Sequence, residues 1–301
     1  MTEAENAPLV LARSAGSARA LAYLDLAKPR VVSMVLVTTI VGFYLGMSGS
    51  IDYSLLLHTL ASTALAASGT LALNQYLERD LDALMLRTRS RPLPAGKLEP
   101  EEALLFGSVV GALGIVYQTI AVGALPAMVT AATSVSYLFM YTPMKRWTPL
   151  CSLVGAVPGA LPPVTGWAAA ANDLGIGAWV LFSILFLWQL PHSLAIARMY
   201  RDDYARAKIR LLPVIDPDGG STGRQIVITS MALLSVALLP TVVRLSGTLY
   251  FFCALGLGLM LLAYSVKLAR THELADALRL LFASLFYLPT LLAVMAFDKL
   301  A

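Results

Sequence analysis

Residues 54–76 read SLLLHTLASTALAASGTLALNQY and run without a break into LERDLDALMLRTRSRPLPAG at 77–96. The first stretch holds no Asp, Glu, Lys or Arg, and about 20 such consecutive residues are what an α-helix needs to cross a bilayer. The second stretch concentrates Glu78, Asp80 and Asp82 with Arg79, Arg87, Arg89 and Arg91. Pro92, Pro94 and Gly96 then end any helix. A membrane-length apolar helix thus delivers its charge to one edge of the membrane.

Reading outward for similar runs predicts nine spans, at about 31–49, 54–76, 102–121, 124–141, 150–170, 176–197, 225–243, 248–266 and 278–296. The fold class expected is an all-α integral membrane bundle. Residues 1–30 form a cytoplasmic N-terminal tail, and residues 31–301 a single transmembrane domain. The composition agrees: 58% of residues are hydrophobic and 13% charged, and the mean hydropathy is +0.73. Soluble domains are nearer half apolar and a quarter charged. With the N-terminus inside and the C-terminus outside, all Lys and Arg except Arg244 and Lys299 fall on the inner side, as the positive-inside rule requires.

The net charge of +4 does not point to nucleic acid. The basic residues lie in short segments between apolar runs, without the clustered lysines and aromatics of a nucleic-acid surface. Membrane lipid is the expected surrounding. Cys151 and Cys253 show no metal or redox spacing and read as small apolar residues.

Asn74, Glu78 and Asp82 stand at i, i+4 and i+8, which stacks them on one helix face. Carboxylate oxygens suit Mg²⁺, which shares its shell with substrate phosphates. Arginine forks such as those of Arg87 and Arg91 match phosphate oxygens. The same arginines also suit a solvated loop at a membrane edge. A second charged segment follows the sixth span, in WQLPHSLAIARMYRDDYARAKIRLLPV at 188–214. There Asp202 and Asp203 diverge on a helix, yet with Arg201 and Lys208 they could hold a second cation and a phosphate. Their other reading is again a solvated loop. His192 follows Pro191, which frees the carbonyl of Leu187. A histidine inside a membrane helix is a functional candidate, for an anionic group, a metal or a proton, unless it satisfies that carbonyl. Trp188, one turn earlier, reads as a stacking surface or an interfacial anchor. Tyr141 and Lys145 share a face at the end of the fourth span.

NQYLERDLDALMLRTRSRPLPAG resembles the NxxxDxxxD region of the UbiA superfamily of intramembrane prenyltransferases, with Glu78 at the first Asp position. Tyr141 and Lys145 resemble its YxxxK element. The second region departs from the usual DxxxD: WQLPH followed by DDYARA and LLPV is instead similar to the haem-farnesylating branch. The resemblance implies a UbiA-like bundle with Mg²⁺ as cofactor. Asn74, Glu78 and Asp82, with Asp202 or Asp203, would be its ligands. Arg87, Arg91, Tyr141, Lys145, Trp188, Arg201 and Lys208 would bind substrate, and His192 would act in the site. The substrates implied are farnesyl diphosphate and protohaem IX (haem B), the products haem O and diphosphate. The setting would be a bacterial inner membrane with the site facing the cytoplasm, or a mitochondrial inner membrane in a eukaryote. Contact with a haem A synthase or terminal oxidase assembly would follow. Prenylation of a quinone precursor such as 4-hydroxybenzoate, or secondary transport, are the rival expectations.

Overall fold

The computed structural model describes residues 18–300. Among these residues nine helices are long and apolar enough to cross a membrane. They are α1 (Pro29–Gly46), α2 (Tyr53–Leu84), α3 (Pro100–Ala121), α4 (Ala124–Met144), α5 (Cys151–Ala171), α6 (Ile176–Met199), α7 (Gly220–Val242), α8 (Thr248–Thr271) and α9 (Leu274–Phe297). The chain is an integral, multi-pass, all-α membrane protein. The nine expected spans lie where the apolar runs placed them. The largest difference is that α2 continues to Leu84, eight residues past the apolar run.

Local signals explain the helix ends. Asp52 caps α2 by accepting from the Leu55 amide at 2.9 Å. Glu99 and Glu102 form a reciprocal capping box at the start of α3, with Pro100 in its first turn. Gly123, at φ +141°, separates α3 from α4 in a conformation that side-chain-bearing residues avoid. The α5 helix is broken at Leu161, between halves Cys151–Ala160 and Pro162–Ala171, where the PGALPP sequence interrupts the hydrogen-bond ladder.

Small residues let neighbouring helices touch along their backbones. A Cβ on Gly69 of α2 would lie 2.3 Å from the Gly111 amide of α3. Such contacts stand in for the hydrophobic driving force that lipid does not supply. The main apolar core is formed by α6, α7, α8 and α9, around Leu181, Ile184, Leu233, Tyr250, Leu280 and Tyr287. A smaller cluster joins Ala22 and Leu26, from a helix at 18–27, to Ala72, Leu93, Leu98 and Ala103. It seats this entry helix against the charged end of α2, where Arg19 pairs with Glu102. The rest of the expected N-terminal tail, residues 1–17, lies outside the described residues.

Candidate active site

Because α2 stays helical through Leu84, its polar residues form one inward stripe: Asn74, Glu78 and Asp82 are all buried. Buried charge at a membrane edge needs partners, and each has a basic or polar one. Lys145 Nζ donates to Glu78 Oε1 at 2.5 Å. Arg91 donates to Asp82 Oδ2 at 2.6 Å. Lys28 Nζ approaches Asn74 Oδ1 at 3.4 Å, and Asn74 Nδ2 donates to Thr142 Oγ1 at 3.1 Å. Three basic side chains therefore surround two carboxylates. Burial, followed by the charge of Arg91, pushes Lys28 down to about 7. A lysine depressed in this way regains its proton when an anion comes beside it, so the cluster favours an anionic ligand.

The α4 helix reaches the site through an unusual turn. Residues Ser136–Tyr141 are wound as a π-helix, a feature that often marks functional positions. It brings Thr142 to Asn74 and sets the Lys145 ammonium 4.3 Å from the centre of the Tyr141 ring.

A divalent cation fits this donor set. Asp82 Oδ1 is fully buried without a hydrogen-bond partner, and Glu78 Oε2 makes no hydrogen bond among the described residues. Among the described residues, however, no three His, Cys, Asp or Glu side chains lie close enough to share an ion. The protein would then supply two carboxylates and the Asn74 amide oxygen, leaving room in the shell for phosphate oxygens.

The second charged segment comes up beside the first. Asp203 accepts from the Leu86 and Arg87 amides at 3.3 and 3.2 Å and pairs with Arg206. Its carboxylate thereby anchors the loop that follows α2. Asp202 is exposed and lines an open cleft of about 450 Å³ with Leu86, Arg87, Met199 and Tyr200. Arg87 lies over the Tyr200 ring and donates to the Tyr204 hydroxyl at 3.2 Å. Arg201 and Lys208 make no side-chain hydrogen bond among the described residues. On α6, Trp188 stacks on His192 with 4.7 Å between ring centres. Both reach Ser284 of α9: the Trp188 indole donates to its carbonyl at 2.9 Å, and His192 Nδ1 lies 2.8 Å from its hydroxyl. His192 thus turns to another helix and not to the carbonyl freed by Pro191.

A sequence profile described as the UbiA prenyltransferase family matches residues 35–288. The chain belongs to that family. A protoheme IX farnesyltransferase of Solibacter usitatus (strain Ellin6076) is 47% identical to this UbiA prenyltransferase over 286 residues, covering 92% of the chain and 98% of the relative. Among solved structures, one described as digeranylgeranylglyceryl phosphate synthase superposes with a TM-score of 0.79 at 14% identity, covering 93% of this chain and 98% of its own. A UbiA homolog from Archaeoglobus fulgidus bound to GPP and Mg²⁺ superposes with a TM-score of 0.63 at 16% identity, covering 91% and 99%. At those identities the likeness establishes the fold.

Three residues of this candidate site escaped the sequence reading. Lys28 looked like one more basic residue of the tail, although its position immediately before Pro29 marks the edge of the first span. Thr142 has a common side chain in an apolar helix, and only the π-turn brings it to Asn74. Ser284 is nearly a hundred residues from His192 and has no local signature.

Proposed function

We propose that this prenyltransferase transfers a farnesyl group from farnesyl diphosphate to a vinyl group of protohaem IX, with addition of water, to give haem O and diphosphate. The observation that carries the reading is the 47% identity, over nearly the whole of both chains, to a protoheme IX farnesyltransferase. The buried stripe of Asn74, Glu78 and Asp82 beneath Lys28, Arg91 and Lys145 supports the prenyl diphosphate half of it.

Mg²⁺ held by Asn74, Glu78 and Asp82, with Asp202 or Asp203 as a second acidic site, would neutralise diphosphate charge. Arg91, Lys145 and Lys28 supply positively charged donors beside the leaving group, where charge develops as the allylic C–O bond breaks. Arg87, in the cleft, with Arg201 and Lys208 would extend this basic surface, and Tyr141 would meet substrate beside Lys145. The vinyl carbon attacks the farnesyl cation, and water captures the resulting cation, releasing one proton and leaving a hydroxyl. The apolar helices of the bundle limit water around the first cation, so that it meets the vinyl group before solvent. Trp188 and His192 serve the flat acceptor.

The distribution of Lys and Arg supports an N-terminus and active site on the cytoplasmic side of a bacterial inner membrane, or the corresponding face of a mitochondrial inner membrane. A haem A synthase or oxidase assembly is the proposed recipient of the product. The deciding experiment gives detergent-purified protein farnesyl diphosphate, Mg²⁺ and haem B and resolves the haems by mass. A farnesylated, hydrated haem supports the reading. Prenylation of 4-hydroxybenzoate with no haem product would replace it.

A further inference from the structure

The His192–Ser284 contact takes no part in diphosphate chemistry, and its geometry settles where the imidazole hydrogen lies. Ser284 Oγ is 2.7 Å from the Leu281 carbonyl oxygen. At that distance the single hydroxyl hydrogen sits between the two oxygens, because facing lone pairs would repel. Toward His192, 2.8 Å away, the same hydroxyl is therefore the acceptor. Nδ1 carries the ring hydrogen, and Nε2 holds a lone pair.

That lone pair is available. Nε2 makes no hydrogen bond among the described residues. Nor is it among the fully buried atoms left without a partner, which are Gln75 Oε1, Asp82 Oδ1, Gln118 Oε1 and the Tyr287 hydroxyl. The ring is held from both sides, by the Ser284 hydroxyl and by the Trp188 face, while Trp188 is itself tied to the Ser284 carbonyl. A preset imidazole with one nitrogen donating to a fixed acceptor and the other open is the arrangement of a metal-binding histidine.

The tautomer also discriminates between the groups of a haem. A propionate would meet Nε2 lone pair against lone pair and be repelled. The iron, a Lewis acid commonly ligated by histidine, matches it. His192 lies seven residues before Met199, about 10 Å along the helix from the cleft that Met199 lines with Asp202 and Asp203. That depth suits an apolar macrocycle more than a phosphate.

We propose that His192 Nε2 ligates the iron of the haem substrate, and that Ser284 is the positioning residue that sets its tautomer and direction. The proposal rests on the haem-farnesylation reading above. Its test titrates the purified full-length protein with ferric haem B, following absorbance and electron paramagnetic resonance, with farnesyl transfer measured on the same samples. Wild type should show a saturable, nitrogen-ligated spectrum. His192→Ala should lose that signature and regain it with free imidazole, and His192→Cys should convert it to a thiolate spectrum. The cysteine variant reports a change and not a loss, so misfolding cannot imitate it. Ser284→Ala should keep the ligand type with about 10- to 100-fold weaker haem affinity, and Ser284→Thr should recover most of it. A His192→Ala spectrum identical to wild type overturns the ligation, and continued turnover of haem B would leave the farnesylation reading intact. Unchanged affinity in Ser284→Ala overturns the positioning role. Wild type that neither binds nor farnesylates haem B overturns both readings together.

Discussion

The two oxygens of Asp82 have different surroundings. Oδ2 is paired with Arg91, and Oδ1 is buried and unpartnered. An oxygen left in that state destabilises the bare protein and is relieved by a cation. Asp82→Asn should therefore lower turnover about 10²- to 10³-fold, the scale of losing one aligned electrostatic group. It should also raise the Mg²⁺ concentration giving half-maximal rate, read from an initial-rate titration. Lys145 and Glu78 form a buried ion pair, with side chains 14% and 10% exposed. Removing one partner leaves a buried charge, so Lys145→Ala should destabilise by about 3–5 kcal/mol. Lys145→Met combined with Glu78→Leu should recover thermal stability without recovering turnover. If the double variant is no more stable than Lys145→Ala, the pairing argument fails. Scanning monodispersity against temperature would tell the two outcomes apart.

At the scale of elements, the site depends on helices that approach closely and on turns that depart from the α-helix. A Cβ on Gly42 of α1 would lie 1.9 Å from the Pro163 carbonyl oxygen at the break in α5. Backbone cannot yield as a flexible side chain can. Gly42→Ala should cost about 1–3 kcal/mol, seen as a lower midpoint of thermal aggregation in detergent. The bundle is also closed at the far end from the site. Lys299, after α9, donates to the Tyr44 and Met47 carbonyls at 2.8 and 2.6 Å and so caps α1. Ending the chain after Phe297 should lower that midpoint while leaving the KM for farnesyl diphosphate unchanged, because the lock and the acidic stripe lie at opposite ends of the helices.

For the whole molecule, the proposed orientation makes a prediction that needs no substrate. In a background with Cys151 and Cys253 replaced, Asp52→Cys lies in the loop before α2, and Asp80→Cys at the highly exposed Asp80, 81% accessible, at its charged end. A membrane-impermeant maleimide applied to intact spheroplasts should label the first and leave the second until the membrane is opened. The reverse pattern would place the active site outside and overturn the orientation, without touching the fold.

Much of this protein is written locally in its chain. Runs of about twenty apolar residues are long enough to span the bilayer and must form helices there, since lipid offers the backbone no other hydrogen-bond partner. That constraint is why nine spans could be located from residue order alone. It also explains why Asn74, Glu78 and Asp82 could be read as one face: their spacing matches the helix period, and α2 continues through them. Tertiary structure alone decided what faces that stripe. Lys28 immediately precedes α1, while Thr142 and Lys145 stand at the end of α4, on segments far apart in sequence, and Thr142 is aimed by a π-turn that no periodicity announces. It likewise decided that Asp203 holds the loop after α2, and that His192 meets Ser284. These are contacts between helices, fixed by packing and by the partners that buried polar groups require, and a local pattern does not specify which helices become neighbours.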